Sequence, residues 1–196
     1  STCDAKPQSA TLINLNARSI VNKVDQLEEI LLAHSPDIVA ITETWLHSGI
    51  SDKKIVPPGY VIVRKDRESR GGGVALLFKE DIHFSTMPDV ENVEALWCNV
   101  HLQHRIAKVG VFYQPPNADC TYLESLFDYM HSNLHGGLIV LAGDFNLPDI
   151  DWCSFVPESK PQSILLDLMF DFNLEQSVGV PTLIQGRHPR SWTLFL

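Results

Sequence analysis

Cysteine is scarce in this chain: Cys3, Cys98, Cys120 and Cys153 stand far apart, with no CxxC pair among them. That spacing excludes a zinc ribbon and offers no disulfide framework. It points to a reducing, intracellular setting, nuclear or cytoplasmic, with buried or incidental thiols. Long apolar runs are missing too. None reaches the ~18 residues of a membrane span, so no membrane partner is expected. No charged n-region with an apolar core opens the chain, and Ser1 stands where an initiator methionine would, so a fragment or processed product is expected. Positive charge is short: 15 Lys and Arg face 24 Asp and Glu, for a net charge of −9. A nucleic-acid binder usually shows a basic footprint, so the total weighs mildly against one. The basic residues are uneven, however, and Arg64, Lys65, Arg67, Arg70 and Lys79 gather around glycines 71–73 as a local basic edge. Repeats and interdomain linkers are absent. With 44% hydrophobic and 20% charged residues, 196 residues make one ordinary globular domain or part of a larger one.

The most informative stretch is Leu138-Ile-Val-Leu-Ala-Gly143-Asp144-Phe-Asn146-Leu-Pro148. Five apolar residues run without alternation, which predicts a strand buried on both faces. Gly143 lets the chain turn, and Pro148 prevents a helix from continuing. Asp144 and Asn146 are thereby placed at a strand's carboxyl end, where open α/β sheets carry their chemistry. An isolated DxN is more often a turn that bonds its own backbone. The other strand ends change the weighing.

Thr11–Asn16 reads as a short strand. Ile20, Val24, Leu27 and Leu31 follow at helical spacing, with Ser19 as a plausible cap and His34-Ser-Pro36 as the stop. Asp37–Thr42 is a second strand, with Glu43-Thr-Trp45 at its end. Strand, helix and strand over this length form a βαβ unit, so the two strands should be parallel neighbours. Asn16 and Glu43 then lie on one edge of the sheet. Hairpins are predicted from Val61–Val63 to Gly71–Phe78 and from Glu94–Val100 to Ile106–Tyr113. Between Tyr113 and the Gly143 strand, Leu123, Leu126, Phe127, Met130 and Leu134 mark a second helix. Ile164, Leu165, Leu168 and Phe172 mark a third. Such an order predicts an α/β sandwich with a mixed sheet or two packed sheets.

Asn16, Glu43 in Ile-Thr-Glu-Thr-Trp-Leu, Tyr113 in Tyr-Gln-Pro-Pro, and Gly143-Asp144-Phe-Asn146 stand in the order of the endonuclease/exonuclease/phosphatase superfamily, which the chain resembles. More narrowly, several motifs are similar to non-LTR (LINE-type) retrotransposon endonuclease domains. These are Leu15-Asn-Ala-Arg-Ser19, Thr42–Leu46, Gly71-Gly-Gly-Val74, Gly143–Pro148, Ile150-Asp-Trp152, Leu174-Glu-Gln176 and Pro181-Thr182. The resemblance implies a DNase I-like four-layer α/β sandwich over residues 11–186, preceded by a disordered segment 1–10 and followed by a divergent tail 187–196. It implies Mg²⁺ (or Mn²⁺) held by Glu43 and Asn16, with Asn14 as a rival for the latter. It also implies that Asp144 activates water, that Asn146 and Tyr113 bond the phosphate, and that DNA is the substrate. Trp45 and Trp152 are read as packing residues.

Family members end on a Leu-Asp-Leu strand and a Ser-Asp-His, and the resemblance makes that histidine essential to catalysis, with the first aspartate as its orienter. Neither motif occurs here. Residues 189–196 read Pro-Arg-Ser-Trp-Thr-Leu-Phe-Leu, and a two-base shift of codons such as TCC TGG ACC TTG TTT CTG yields Leu-Asp-Leu. A frameshifted or mis-spliced copy lacking the last strands and impaired as a nuclease is therefore expected. A non-catalytic nucleic-acid- or protein-binding module is the alternative, and a small-phosphoester phosphatase stands behind both.

Overall fold

The computed structural model describes residues 9–147 and 149–177, together with the backbone of residues 183–185 and 188–191. Expectations for residues 1–8, Pro148, Pro181-Thr182 and most of the 187–196 tail fall outside the described residues.

The elements in chain order are β1 (Leu12–Asn16), α1 (Val24–His34), β2 (Ile38–Thr42), β3 (Tyr60–Lys65), β4 (Val74–Lys79), β5 (Phe84–Thr86), β6 (Glu94–His101), β7 (Ile106–Tyr113), α2 (Cys120–Asn133), β8 (Leu138–Asp144), α3 (Lys160–Asp171), β9 (Leu183–Gln185) and β10 (His188–Ser191). One mixed sheet has the order β1-β2-β4-β3, and a second has β5-β6-β7-β8. The β1–β2 pair is parallel, with Asn16 opposite Thr42, as the βαβ spacing predicts. β3 and β4 form an antiparallel hairpin, as do β6 and β7, while β7 and β8 run parallel.

Period-2 alternation sorts the side chains into layers. Ile38, Ala40, Val74, Leu76, Phe78, Val100, Val109, Val111 and Ala142 pack between the sheets. Val39, Ile41, Ala75 and Leu77 point the other way, onto Leu27 and Leu31 of α1. Trp97, Phe112 and Leu141 face Leu123, Leu126 and Met130 of α2 and Leu165 and Leu168 of α3. The result is helix, sheet, sheet, helix: the four-layer DNase I-like sandwich. Burial of each large side chain from water is worth about 1.5–3 kcal/mol; the middle layer holds the sheets face to face, and the outer two hold the helices against them.

Two local expectations are corrected. Ser19 does not cap α1, which begins at Val24 with Lys23 at the cap position and no side-chain cap. Instead the Ser19 amide donates to the Glu43 carbonyl (3.0 Å) and the Ile20 amide to the Thr44 carbonyl (3.1 Å). Those amides are consumed by the chain beyond β2, so Ile20 is buried without being helical. The β8 strand is also less enclosed than an unbroken apolar run predicts. Leu138 is exposed and Ile139 and Val140 are half-buried, and only the half nearest Asp144 is fully covered. Among the described residues β8 has β7 alone as a neighbour.

Candidate active site

Strand direction brings one set of ends to one rim. β1, β2, β7 and β8 all finish there, and β4 and β6 begin there. Asn16, Tyr113 and Asp144 lie on the faces that point between the sheets, by the same alternation that buries Leu12, Val111 and Ala142. The rim is therefore the open end of the inter-sheet layer, where polar groups replace the apolar ones.

At its centre the Asn16 amide nitrogen donates to two carboxylates, Glu43 Oε1 at 2.8 Å and Asp144 Oδ2 at 3.0 Å. One side chain thus draws together two acids that are 101 positions apart in sequence, 144 − 43. Asn14, two residues earlier on the same face of β1, reaches the Gly143 carbonyl instead (3.5 Å). Glu43 sits at φ +52° and Trp45 at φ +54°, left-handed conformations that non-glycine residues adopt only when their surroundings hold them. Here the holding groups are the Ser19 and Ile20 amides on one side and, on the other, the Gly72 and Gly73 carbonyls, which accept from Trp45 (2.9 Å) and Thr44 (3.2 Å).

Asp144 is buried, and burial holds its carboxyl above the ordinary aspartate range. The Asn146 amide, Asn16 and the Arg18 charge pull it back, while the Glu43 charge pushes it further up. Gly143 makes this placement possible. It lies at φ +147° directly opposite Phe112, and an added Cβ would overlap the Phe112 carbonyl oxygen. Asn146, at φ +47°, returns its backbone amide to Asp144 Oδ1 (3.1 Å) and donates its side-chain amide to the Gln114 carbonyl (2.5 Å). A primary amide carries two N–H donors, so a second remains for a ligand. Tyr113 is buried at the same rim. Burial first, then the charges of Glu43, Asp144 and Glu94, push its hydroxyl up to about 12. It stays a hydrogen-bond donor at neutral pH.

The donor chemistry suits a hard cation. Glu43 and Asp144 each present a carboxylate oxygen to the Asn16 amide, which bonds both. Among the described residues no group of three or more His, Cys, Asp or Glu could form a closed cage. One or two carboxylates in an open position fit Mg²⁺, which keeps most of its waters, and do not fit structural zinc.

The basic edge proposed around the glycines is largely consumed within the fold. Arg64 pairs with Asp52 (3.1 Å) and Asp66 (3.7 Å), Lys65 with Asp89 (2.7 Å), and Arg67 with Glu94 (3.4 Å). The pairing acids come from neighbouring loops and from β6, which residue spacing does not reveal. Glu94 itself is a functional candidate that sequence reasoning passed over. The one signal was an acid at the head of the face that carries Leu96, Cys98 and Val100. Arg18 and Gln114 were likewise passed over, although they fall within Leu15–Ser19 and Tyr113-Gln-Pro-Pro. Trp45 is part-exposed, whereas Trp152 packs partly against the α2–α3 layer.

Residues 12–194 match the Endonuclease/Exonuclease/phosphatase family. The chain belongs to it. A curated relative, the RNA-directed DNA polymerase from mobile element jockey of Drosophila melanogaster, is 27% identical over 173 residues, which is 85% of this chain. The chain spans 18% of that relative's length. Among solved structures, the endonuclease domain of TRAS1, a telomere-specific non-LTR retrotransposon, superposes with a TM-score of 0.67. It is 12% identical, with 95% of this chain and 82% of that one covered. The 3′ phosphatase NExo from Neisseria, bound to product DNA hairpin, also gives a TM-score of 0.67 at 16% identity, covering 95% and 86%. As an Endonuclease/Exonuclease/phosphatase member, the chain has the family's fold and the retroelement likeness its motifs suggest. Among the described residues no helix is long and apolar enough to cross a membrane.

Proposed function

We propose that this chain is a retroelement endonuclease domain that nicks DNA by metal-dependent phosphodiester hydrolysis. The observation that carries the reading is the Asn16 amide bridging Glu43 and Asp144 at the open end of the sandwich. The family and the retrotransposon relatives support nuclease-type hydrolysis of a phosphodiester, and a DNA-bound neighbour supports DNA as the substrate.

Glu43, aided by Asn16, would hold Mg²⁺ or Mn²⁺. When bound, such an ion supplies charge neutralisation at the phosphate and the leaving oxygen. Asp144 orients the attacking water and takes its proton, a role that suits a carboxylate made more basic by burial. Its orientation comes from the Asn146 amide on one oxygen and Asn16 on the other. Asn146 offers its remaining amide N–H to a phosphate oxygen, and the Tyr113 hydroxyl donates a second bond. No Ser-Asp-His occurs in these 196 residues, so none of them is assigned to protonating the leaving oxygen.

The test is nicking of supercoiled plasmid with Mg²⁺, with the chain compared against a Glu43→Ala/Asp144→Ala double variant. Nicking that disappears in the double variant, a drop of roughly 10³-fold or more, supports the proposal. Identical traces from both proteins overturn it. Salt-dependent DNA retention without nicking would then favour a non-catalytic binding module.

A further inference from the structure

Glu94 opens β6, where the antiparallel register places it directly opposite Tyr113. Strand alternation puts both side chains on the inter-sheet face, Glu94 in line with Cys98 and Val100, and Tyr113 in line with Val111. A carboxylate only 9% exposed in such a place needs partners, because an unpaired buried charge is costly. The partners are specific. Glu94 Oε2 accepts a short bond from the Gly73 amide, and Oε1 faces Arg67 Nε at 3.4 Å. The backbone is pinned as well, since the Glu94 amide donates to the Tyr122 hydroxyl at 2.6 Å.

The Gly73 bond has a consequence on the far side of the same residue. Gly73 gives its amide to Glu94 and its carbonyl to Thr44, and Gly72 gives its carbonyl to Trp45. Thr44 and Trp45 are the two residues that follow Glu43, whose left-handed backbone needs outside support. The glycines fit because nothing larger does. A Cβ on Gly72 would overlap Glu94 Oε2, and one on Gly73 would stand 2.5 Å from Thr44 Oγ1. A continuous chain of bonds therefore runs from Arg67 through Glu94 and the two glycines to the turn that aims Glu43.

We propose that Glu94 is a positioning residue: through Gly72 and Gly73 it holds the 43–45 turn so that the Glu43 carboxylate meets Asn16 in a geometry ready for a divalent cation. It does not touch the reacting atoms. The proposal rests on the metal-site reading above and adds a residue that reading does not use. Outer contacts that orient a ligand typically set metal affinity by 10–100-fold.

The test uses Mn²⁺ as a spectroscopic probe, titrated into the whole chain and followed by electron paramagnetic resonance. Exchange of the Thr44 and Trp45 amides is followed by NMR on the same samples. Glu94→Ala should weaken Mn²⁺ binding about tenfold or more and speed exchange at both amides. Glu94→Gln keeps an oxygen for the Gly73 amide and should restore both toward wild type. A general loss of packing would not predict that rescue. Glu94→Asp retracts the carboxylate by one methylene, keeps its charge, and serves if the alanine variant does not fold. It should behave like the alanine variant. Wild-type Mn²⁺ binding left unchanged by Glu94→Ala and Glu94→Asp overturns the positioning role while leaving the metal site intact. Absence of Mn²⁺ binding in the wild type, with no change in Glu43→Gln, overturns the metal reading and this proposal with it.

Discussion

Asp144 and Glu94 are both buried acids at the same rim, both raised above their ordinary range by burial, yet their surroundings differ in kind. Glu94 has a guanidinium at 3.4 Å and a backbone amide of its own, so its charge is answered inside the fold. Asp144 shares one neutral amide donor with Glu43, a like charge that raises it further against the Arg18 charge that lowers it. A carboxylate satisfied from within reads as architecture. A pair of carboxylates drawn together by an uncharged group has capacity left for a cation from outside. The contrast separates the group that builds the site from the groups that use it.

The sharpest way to break that contrast is through the glycines beside each acid. Gly143→Ala forces a Cβ onto the Phe112 backbone at φ +147°, where no side chain can yield. A loss of about 4 kcal/mol or more, or failure to fold, is expected in urea denaturation. A loss under about 1 kcal/mol would mean that the β7–β8 register adapts and does not fix Asp144.

A smaller effect distinguishes the two acids by metal. At Mg²⁺ tenfold above its dissociation constant, a folded-state site adds about 1.4 kcal/mol. Thermal melts should show this rise in the wild type and lose it in Glu43→Gln, while Glu94→Gln keeps most of it. Equal rises in all three would place the ion elsewhere.

The smallest effect is in pH. Glu94 binds its proton more tightly when folded than when unfolded. Its contribution to stability is therefore fullest below the ordinary glutamate value and is lost as pH rises through the raised one. Glu94→Gln does not titrate, so its stability relative to wild type should grow from acid toward neutral pH, measured by denaturation across that range. A gap that shrinks instead would mean that Arg67 outweighs burial, and that Glu94 gains from ionising.

The layers and their order were legible because they are written at short range. Leu123, Leu126 and Met130 recur at helical spacing and all are buried in α2. The strand-helix-strand spacing of residues 11–42 permits only one simple topology, which puts Asn16 and Glu43 on one edge. Asp144 followed from an apolar run ended by glycine. The failures share one cause. Ser19 looked like a cap, but its amide goes to a carbonyl 24 residues away, 43 − 19. Arg64, Lys65 and Arg67 looked like a local basic edge, but their acids arrive from other loops and from β6. β5 was not foreseen at all, since three residues are too few for a period to register.

Local patterning sets which segments become strands and helices and which polar residues stand at strand ends, because backbone geometry imposes periods of 2.0 and 3.6 on any buried face. Which of those polar residues meet is chosen by the packing of the layers. Two sheets stacked face to face set Asn16 between Glu43 and Asp144, and turned Glu94 onto the glycines that carry Glu43. Such contacts depend on the spacing and angle of packed layers, which no local pattern encodes.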